Sequence, residues 1–246
     1  MIDKKYFLFI ISLLISLILI NFAISVPIAP SSVIVQANET RADTSSGTIL
    51  NISGGRIATI NISADQQNLR WKGFVGQVLG TFTLDDSSSS TLYDWTMTNV
   101  GGEIYSTRNT SIPSWTSIRC ANTTQLEYEN YLMNHTNSNY NITKTFNDTT
   151  HVSFSVGAVS ISANICPTLN TYISNLTQDT DFEEIVLTDN TNFSTPNYAN
   201  LIYSTIIETN LVGFDSNTYD FQMIVPEVGY DGFSGATAYY LYVELQ

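Results

Sequence analysis

The chain has 246 residues, with 9 Lys plus Arg against 22 Asp plus Glu, a net charge of −13, and only 13% charged residues. Such an acid balance repels phosphate backbones and argues against any nucleic-acid partner. The imbalance is uneven: the last basic residue is Lys144, and 12 acidic residues follow it without a single Lys or Arg.

Residues 6–26 (YFLFIISLLISLILINFAISV) are 21 uncharged residues preceded by Lys4 and Lys5. A run this long and apolar is a secretory h-region or a membrane span, and the two lysines hold its start inside. Ala23 and Ser25 occupy the −3 and −1 positions of a cut before Val26, and Pro27 follows. That arrangement favours cleavage. Against it, the run exceeds the usual h-region and is long enough for ~30 Å of hydrocarbon. Residues 1–25 are therefore read as a hydrophobic N-terminal helix, either a signal peptide or an anchor. Residues 26–246 are read as one extracellular domain.

Residues 31–37 (SSVIVQA) form the first β run. It is read as an ordinary first strand or as a donor strand completing a neighbouring subunit's sheet. Residues 48–53 and 56–63 are strand candidates separated by Gly54-Gly55, a hairpin signal. Ile60 and Ile62 alternate with Asn61, which points Asn61 away from any core. Residues 71–84 (WKGFVGQVLGTFTL) read as a long bent strand, or two strands kinked at Gly80. The glycine spacing fits no nucleotide fingerprint. After a loop at 85–90, residues 91–99 form a strand with Tyr93 and Trp95 on one face, and Gly101-Gly102 turns into a strand over 103–107.

Residues 108–147 change character. They hold five N-x-S/T sequons, Cys120 and the one expected soluble helix, 124–134, opened by a capping-box pattern from Thr124 to Glu127. This stretch reads as a glycosylated excursion, around 108–150, tied back by a disulfide. Residues 151–161 (HVSFSVGAVSI) alternate strictly and predict one strand. Four more strands are expected at 183–188, 200–208, 219–225 and 237–245. Nine to eleven strands and one short helix predict an all-β fold, a β-sandwich with jelly-roll or immunoglobulin-like connectivity.

Ten sequons run along the chain, at Asn38, Asn51, Asn61, Asn109, Asn122, Asn134, Asn141, Asn147, Asn175 and Asn192. The chain's Asn, Ser and Thr content gives about five or six by chance, so the excess is roughly twofold. In an exported chain it predicts N-glycosylation. Residues 62–108 and 193–246 carry none. Cys120 and Cys166 are the only cysteines, and in an oxidising space they are expected to pair.

Little in the sequence promises chemistry. His135, inside a sequon and expected to be exposed, and His151 are the only histidines, and no G-x-S-x-G elbow exists. Acidic residues cluster at Asp179, Asp181, Glu183 and Glu184, and recur at Asp215, Asp220 and Asp231 near Asn217. They read as solvated loops, or as oxygen-rich sites of the kind that hold Ca²⁺, although no EF-hand signature is present. No other cofactor is implied. Trp71, Trp95, Trp115 and the Tyr-rich C-terminal strand are core residues or stacking platforms.

The phrases WKGFVGQVLGTFTLDD, LYDW followed by GEIYSTR, ANICP around Cys166, DFEEIVLTD, GFDSNTYDFQMIVPE and TAYYLYVEL span roughly residues 70–246. In this order they resemble a family of exported archaeal β-rich surface glycoproteins. The resemblance implies an archaeal cell-surface or secreted glycoprotein and implies no active site. The expected function is structural and non-enzymatic, as a filament or coat subunit whose partners are like subunits or other cell-surface components. The alternative is an adhesion module that binds a carbohydrate or a partner.

Overall fold

A computed structural model describes residues 25–42, 49, 51–63, 65–97, 99–173, 176–178, 181–189, 201–230 and 235–246. The expected N-terminal helix lies outside the described residues, apart from its last position, Ser25. Among the described residues, no helix is long and apolar enough to cross a membrane.

The first strands are β1 (Trp71–Gly76), β2 (Thr81–Asp85), β3 (Thr91–Thr96) and β4 (Gly102–Thr107). A 3-10 turn (Trp115–Ser117) and β5 (Arg119–Cys120) lead into α1 (Thr123–Leu132) and α2 (Ile142–Thr145). Then come β6 (Phe154–Val156), β7 (Val159–Ile161), β8 (Thr168–Leu169), β9 (Thr171–Ile173) and β10 (Leu176–Gln178). The last group is β11 (Glu184–Thr188), β12 (Leu201–Ile206), β13 (Leu211–Val212), β14 (Thr218–Tyr219), β15 (Phe221–Pro226) and β16 (Tyr240–Leu245). The fold is predominantly β, as composition and alternation predict.

One antiparallel sheet organises the rest, in the order β16-β4-β12-β11-β5, with β8 beside β5 on the outer edge of β11. Its central strands are buried on both faces, so they read as continuous apolar runs such as EIVLT and LIYSTI rather than as alternations. The register Val186↔Tyr203 and Leu187↔Ile202 sorts neighbouring side chains onto opposite faces. On one face Tyr105, Leu187, Ile202 and Tyr242 pack with Trp115, Phe154 and Val156. On the other, Val186, Leu201 and Tyr203 pack with Leu126, Met133, Ile142 and Phe146 from the helical region and with Met223 and Val225 of β15. Each such side chain contributes about 1.5–3 kcal/mol of transfer free energy when fully buried.

The helical region is therefore a layer of the body, not an excursion from it. α1 starts one residue earlier than expected, and its capping box joins Asn122 to Gln125 rather than Thr124 to Glu127. The Gln125 side chain accepts from the Asn122 amide and donates to Thr188 Oγ1 at 3.1 Å, so the same residue caps the helix and docks it on β11. α2 was not foreseen: Asn141 caps it by accepting from the Lys144 amide at 2.7 Å.

Three other expectations are corrected. Residues 151–161 fold as the β6–β7 hairpin, because Gly157 adopts φ +56° and reverses the chain. Residues 31–37 form no strand; upstream, Ile28 alone bridges to Val243, and Pro30 has no amide to continue that ladder. The 48–63 hairpin keeps its Gly54-Gly55 turn, with Gly55 at φ +77°, but no ladder forms among its described residues. The kink near Gly80 is present. β1 and β2 belong to different sheets, and a Cβ at Gly80 would lie 2.6 Å from Leu245 Cδ1.

Candidate functional site

The two cysteines form a disulfide with Cα atoms 4.8 Å apart. Cys120 sits in β5 and Cys166 just before β8, so the bond joins the two short strands that share one edge of β11. Beside it, His151 is buried, three residues before β6 begins. Its Nε2 accepts from the amides of Ile165 and Cys166 at 3.2 and 3.0 Å, while Nδ1 donates to the Val152 carbonyl at 2.7 Å. Those partners fix the neutral tautomer with the proton on Nδ1. His135, expected to be exposed, is also buried, with its Nε2 2.8 Å from the Glu227 carbonyl and its ring edge-on to Trp71. Burial pushes its pKa down. The two histidines lie at separate places, His151 beside the disulfide and His135 against Trp71.

Three buried acidic groups carry the strongest electrostatics. Glu103 of β4 and Glu244 of β16 are direct cross-strand partners, and both are buried. Tyr105 Oη donates to Glu244 at 3.0 Å, Gly157 N donates to the same carboxyl at 2.9 Å, and Gln246 Nε2 donates to Glu103 at 3.1 Å. Burial, then the neighbouring Glu244, pushes Glu103 up to about 8. Burial also raises Glu244. Two carboxylates opposite each other in a dry sheet cannot both ionise cheaply, so Glu103 holds the proton while Glu244 collects the donors.

On the opposite face, Glu184 is fully buried and accepts from the Ile224 amide at 2.8 Å, which closes an otherwise free edge of β15. Burial pushes it well up. Glu129 of α1 accepts a two-point contact from Arg108, at 2.8 Å from Nε and 2.6 Å from Nη2. This ion pair fastens the helix to the end of β4. Each of these groups holds at least one backbone or side-chain partner, while Glu184 Oε1 is buried without one.

The described residues of the acidic clusters take separate places. Glu183 and Glu184 turn inward, Asp215 holds its own turn through Asn217 and Tyr219, and Asp220 accepts from the amides of Val78 and Asn210. Asp179 and Asp231 lie outside the described residues. Among the described residues, no group of three or more His, Cys, Asp or Glu is placed to hold a metal ion.

Of the sequons, Asn38, Asn51, Asn61, Asn122 and Asn147 are exposed, and Asn175 and Asn192 lie outside the described residues. Asn109, Asn122 and Asn141 use their Oδ1 as turn or cap acceptors, which leaves Nδ2 free to carry a sugar. Asn134 differs. It has φ +55° and donates its Nδ2 to the Gly229 carbonyl at 3.1 Å.

The tryptophans separate clearly. Trp115 is buried against Tyr105 and Tyr242, and Trp71 donates Nε1 to the Tyr140 carbonyl at 3.0 Å. Trp95 is half exposed on the β2–β3 hairpin, edge-on to Tyr93 with ring centroids 5.0 Å apart. Sequence reasoning put Tyr93 and Trp95 on one face but did not identify that face as uncovered. Comparison with protein-family models, with curated proteins and with solved structures returned no match.

Proposed function

We propose that this chain is an exported, N-glycosylated, non-enzymatic surface protein of an archaeon, working as a structural subunit that assembles with like subunits. One observation carries the reading. The strongly perturbed acids are sealed in the body and tied to backbone or to each other, whereas exposed apolar surface gathers in the segment before β1 and in the β2–β3 hairpin. That division suits a protein that acts by packing, not by reaction chemistry. The layering of β1–β15 on the central sheet fits a sandwich-type architecture. The closed disulfide and the sequons at exposed positions suit an oxidising, glycosylating route. An adhesion role is the second reading, favoured by the exposed Tyr93–Trp95 pair.

Protease shaving of intact cells, followed by N-terminal sequencing and glycopeptide mass spectrometry, tests the proposal. The expected result is a surface-accessible chain, glycosylated and disulfide-bonded, beginning at Val26 or retaining its leader. A cytosolic chain with reduced thiols and no glycan would overturn it.

A further inference from the structure

The geometry points to an interaction surface: residues 56–63 of one copy add as a strand to an edge of the β2–β3 hairpin of a second copy and extend its aromatic face. The inference rests on the self-assembly reading above and names the surfaces that do the assembling.

The hairpin register pairs Phe82 with Trp95 and Leu84 with Tyr93, so these four side chains stand on one face. They are 41%, 50%, 50% and 59% exposed in the same order. Thr81, Thr83, Asp94 and Thr96 take the other face. No third strand pairs with either edge among the described residues. A two-stranded hairpin alone in water is marginal, and three strands with a covered face are the usual minimum.

The same chain presents a matching segment. In residues 56–63, Ile60 and Ile62 share one phase of a period-2 pattern with Arg56 and Ala58, with Ile57 in the other, and they are 51% and 82% exposed with no ladder partner among the described residues. Asn61 takes the opposite phase. When the added strand sets Ile60 and Ile62 on the hairpin's apolar face, beside its aromatics, a sugar on Asn61 points to the other face. The hairpin and its flanks, residues 62–108, carry no sequon that would block the approach.

Charge agrees. The hairpin region holds Asp85, Asp86 and Asp94, and no Lys or Arg occurs from residue 73 to 107. Arg56 is the one charged residue of 56–63; outside it, the described residues before β1 carry Glu39 and Asp65 as well as Arg41 and Arg70. Area decides the stoichiometry. Four half-exposed side chains of this size offer ~400 Å², short of the ~800 Å² per partner of a stable complex. Reciprocal exchange, in which each copy lends its segment and receives one, doubles the contact and adds two sets of ladder hydrogen bonds.

Cysteine cross-linking of the full exported chain tests this. Cys120 and Cys166 are paired with each other, so an added thiol has no native free cysteine to react with. Copies carrying Ile62→Cys are mixed with copies carrying Trp95→Cys under mild oxidation. The expected result is a mixed disulfide dimer at least tenfold more abundant than the dimer of either variant alone. Adding Ile60→Asp to the first partner, or raising salt from 0.05 to 0.5 M, lowers the yield at least fivefold. Both substitutions alter exposed side chains, and unchanged far-ultraviolet circular dichroism verifies the fold. If the double variant Ile62→Cys/Trp95→Cys closes only within one chain, the segment covers its own hairpin and the inference fails. It also fails if no cross-link forms, and, should soluble glycans then quench Trp95 fluorescence, the face is a sugar platform. Surface location and glycosylation are read separately by shaving, so a failed cross-link on a surface-exposed glycoprotein overturns the pairing alone.

Discussion

Replacing Glu103 with Gln isolates the cost of placing two carboxyls opposite each other inside the sheet. In the unfolded chain Glu103 ionises near the ordinary 4.5, whereas in the folded chain burial and Glu244 hold it at about 8. The folded protein thus binds one extra proton between those two values, so stability rises as pH falls from about 8 to 4.5 and is lost as pH rises. At pH 7 the chain must take up that proton to fold, across about 2.5 pH units, which costs about 3 kcal/mol. Gln has the shape of the protonated acid and keeps an acceptor for Gln246 Nε2, but pays no protonation cost. E103Q is therefore expected to be about 3 kcal/mol more stable than the parent at pH 7, or roughly 6–12 °C in Tm for a chain of this size. The advantage should shrink by about 1.4 kcal/mol per pH unit and vanish near pH 4.5. Thermal unfolding of both proteins from pH 4 to 8, followed by near-ultraviolet circular dichroism, gives the curve. A variant no more stable than the parent at pH 7, or an offset that ignores pH, would refute the reasoning.

Further outcomes follow from other contacts. Glu129→Ala leaves Arg108 without its two-point partner beside a buried site, and is expected to cost about 3–5 kcal/mol in denaturant unfolding. Gly102→Ala should be worse than its size suggests, because Gly102 has φ +121° and a Cβ there would lie 2.0 Å from the Glu244 carbonyl oxygen. A loss of about 3 kcal/mol or more, or failure to fold, is expected. Reducing Cys120–Cys166 reopens a loop of sequence separation 46 and should lower stability by about 4 kcal/mol in chemical denaturation. Glycopeptide mapping should find Asn38, Asn51, Asn61 and Asn147 occupied and Asn134 bare, since the Asn134 carboxamide nitrogen is spent on Gly229.

The core strands were legible because their signal is local. β11, β12, β15 and β16 are apolar, β-branched or aromatic runs bounded by Asn, Asp, Gly and Pro, and they form within a few residues of where those runs lie. The disulfide was legible from count and compartment. What failed was whatever depends on a partner far along the chain. His135 looks exposed because it sits in a sequon, yet Trp71, more than sixty residues away, walls it in. Glu103, Glu184 and Glu244 read as surface charges until the sheet places them opposite a carboxyl or an orphan amide. Asn122 and Asn141 read as glycan acceptors, although an Asn immediately before a helix-forming stretch is also a cap signal. That signal was present and was overlooked.

The most informative failure is the one at residues 48–63. A period-2 pattern with a Gly-Gly turn reports a face that wants cover and a chain ready to be a strand; it does not report whose sheet supplies the edge. Among the described residues the turn forms and the ladder does not, while an apolar hairpin further along the same chain stands with its face open. Each half is locally consistent and globally unpaired. In a monomer designed by selection to remain alone, exposed strand edges are blunted by Lys, Pro or bulges. The β2–β3 hairpin has no Lys and no Pro, and its single register shift lies next to the turn, between Leu84 and Asp85. An edge left this open, in a stretch 62–108 that carries no sequon, is the edge the proposed strand pairing would use.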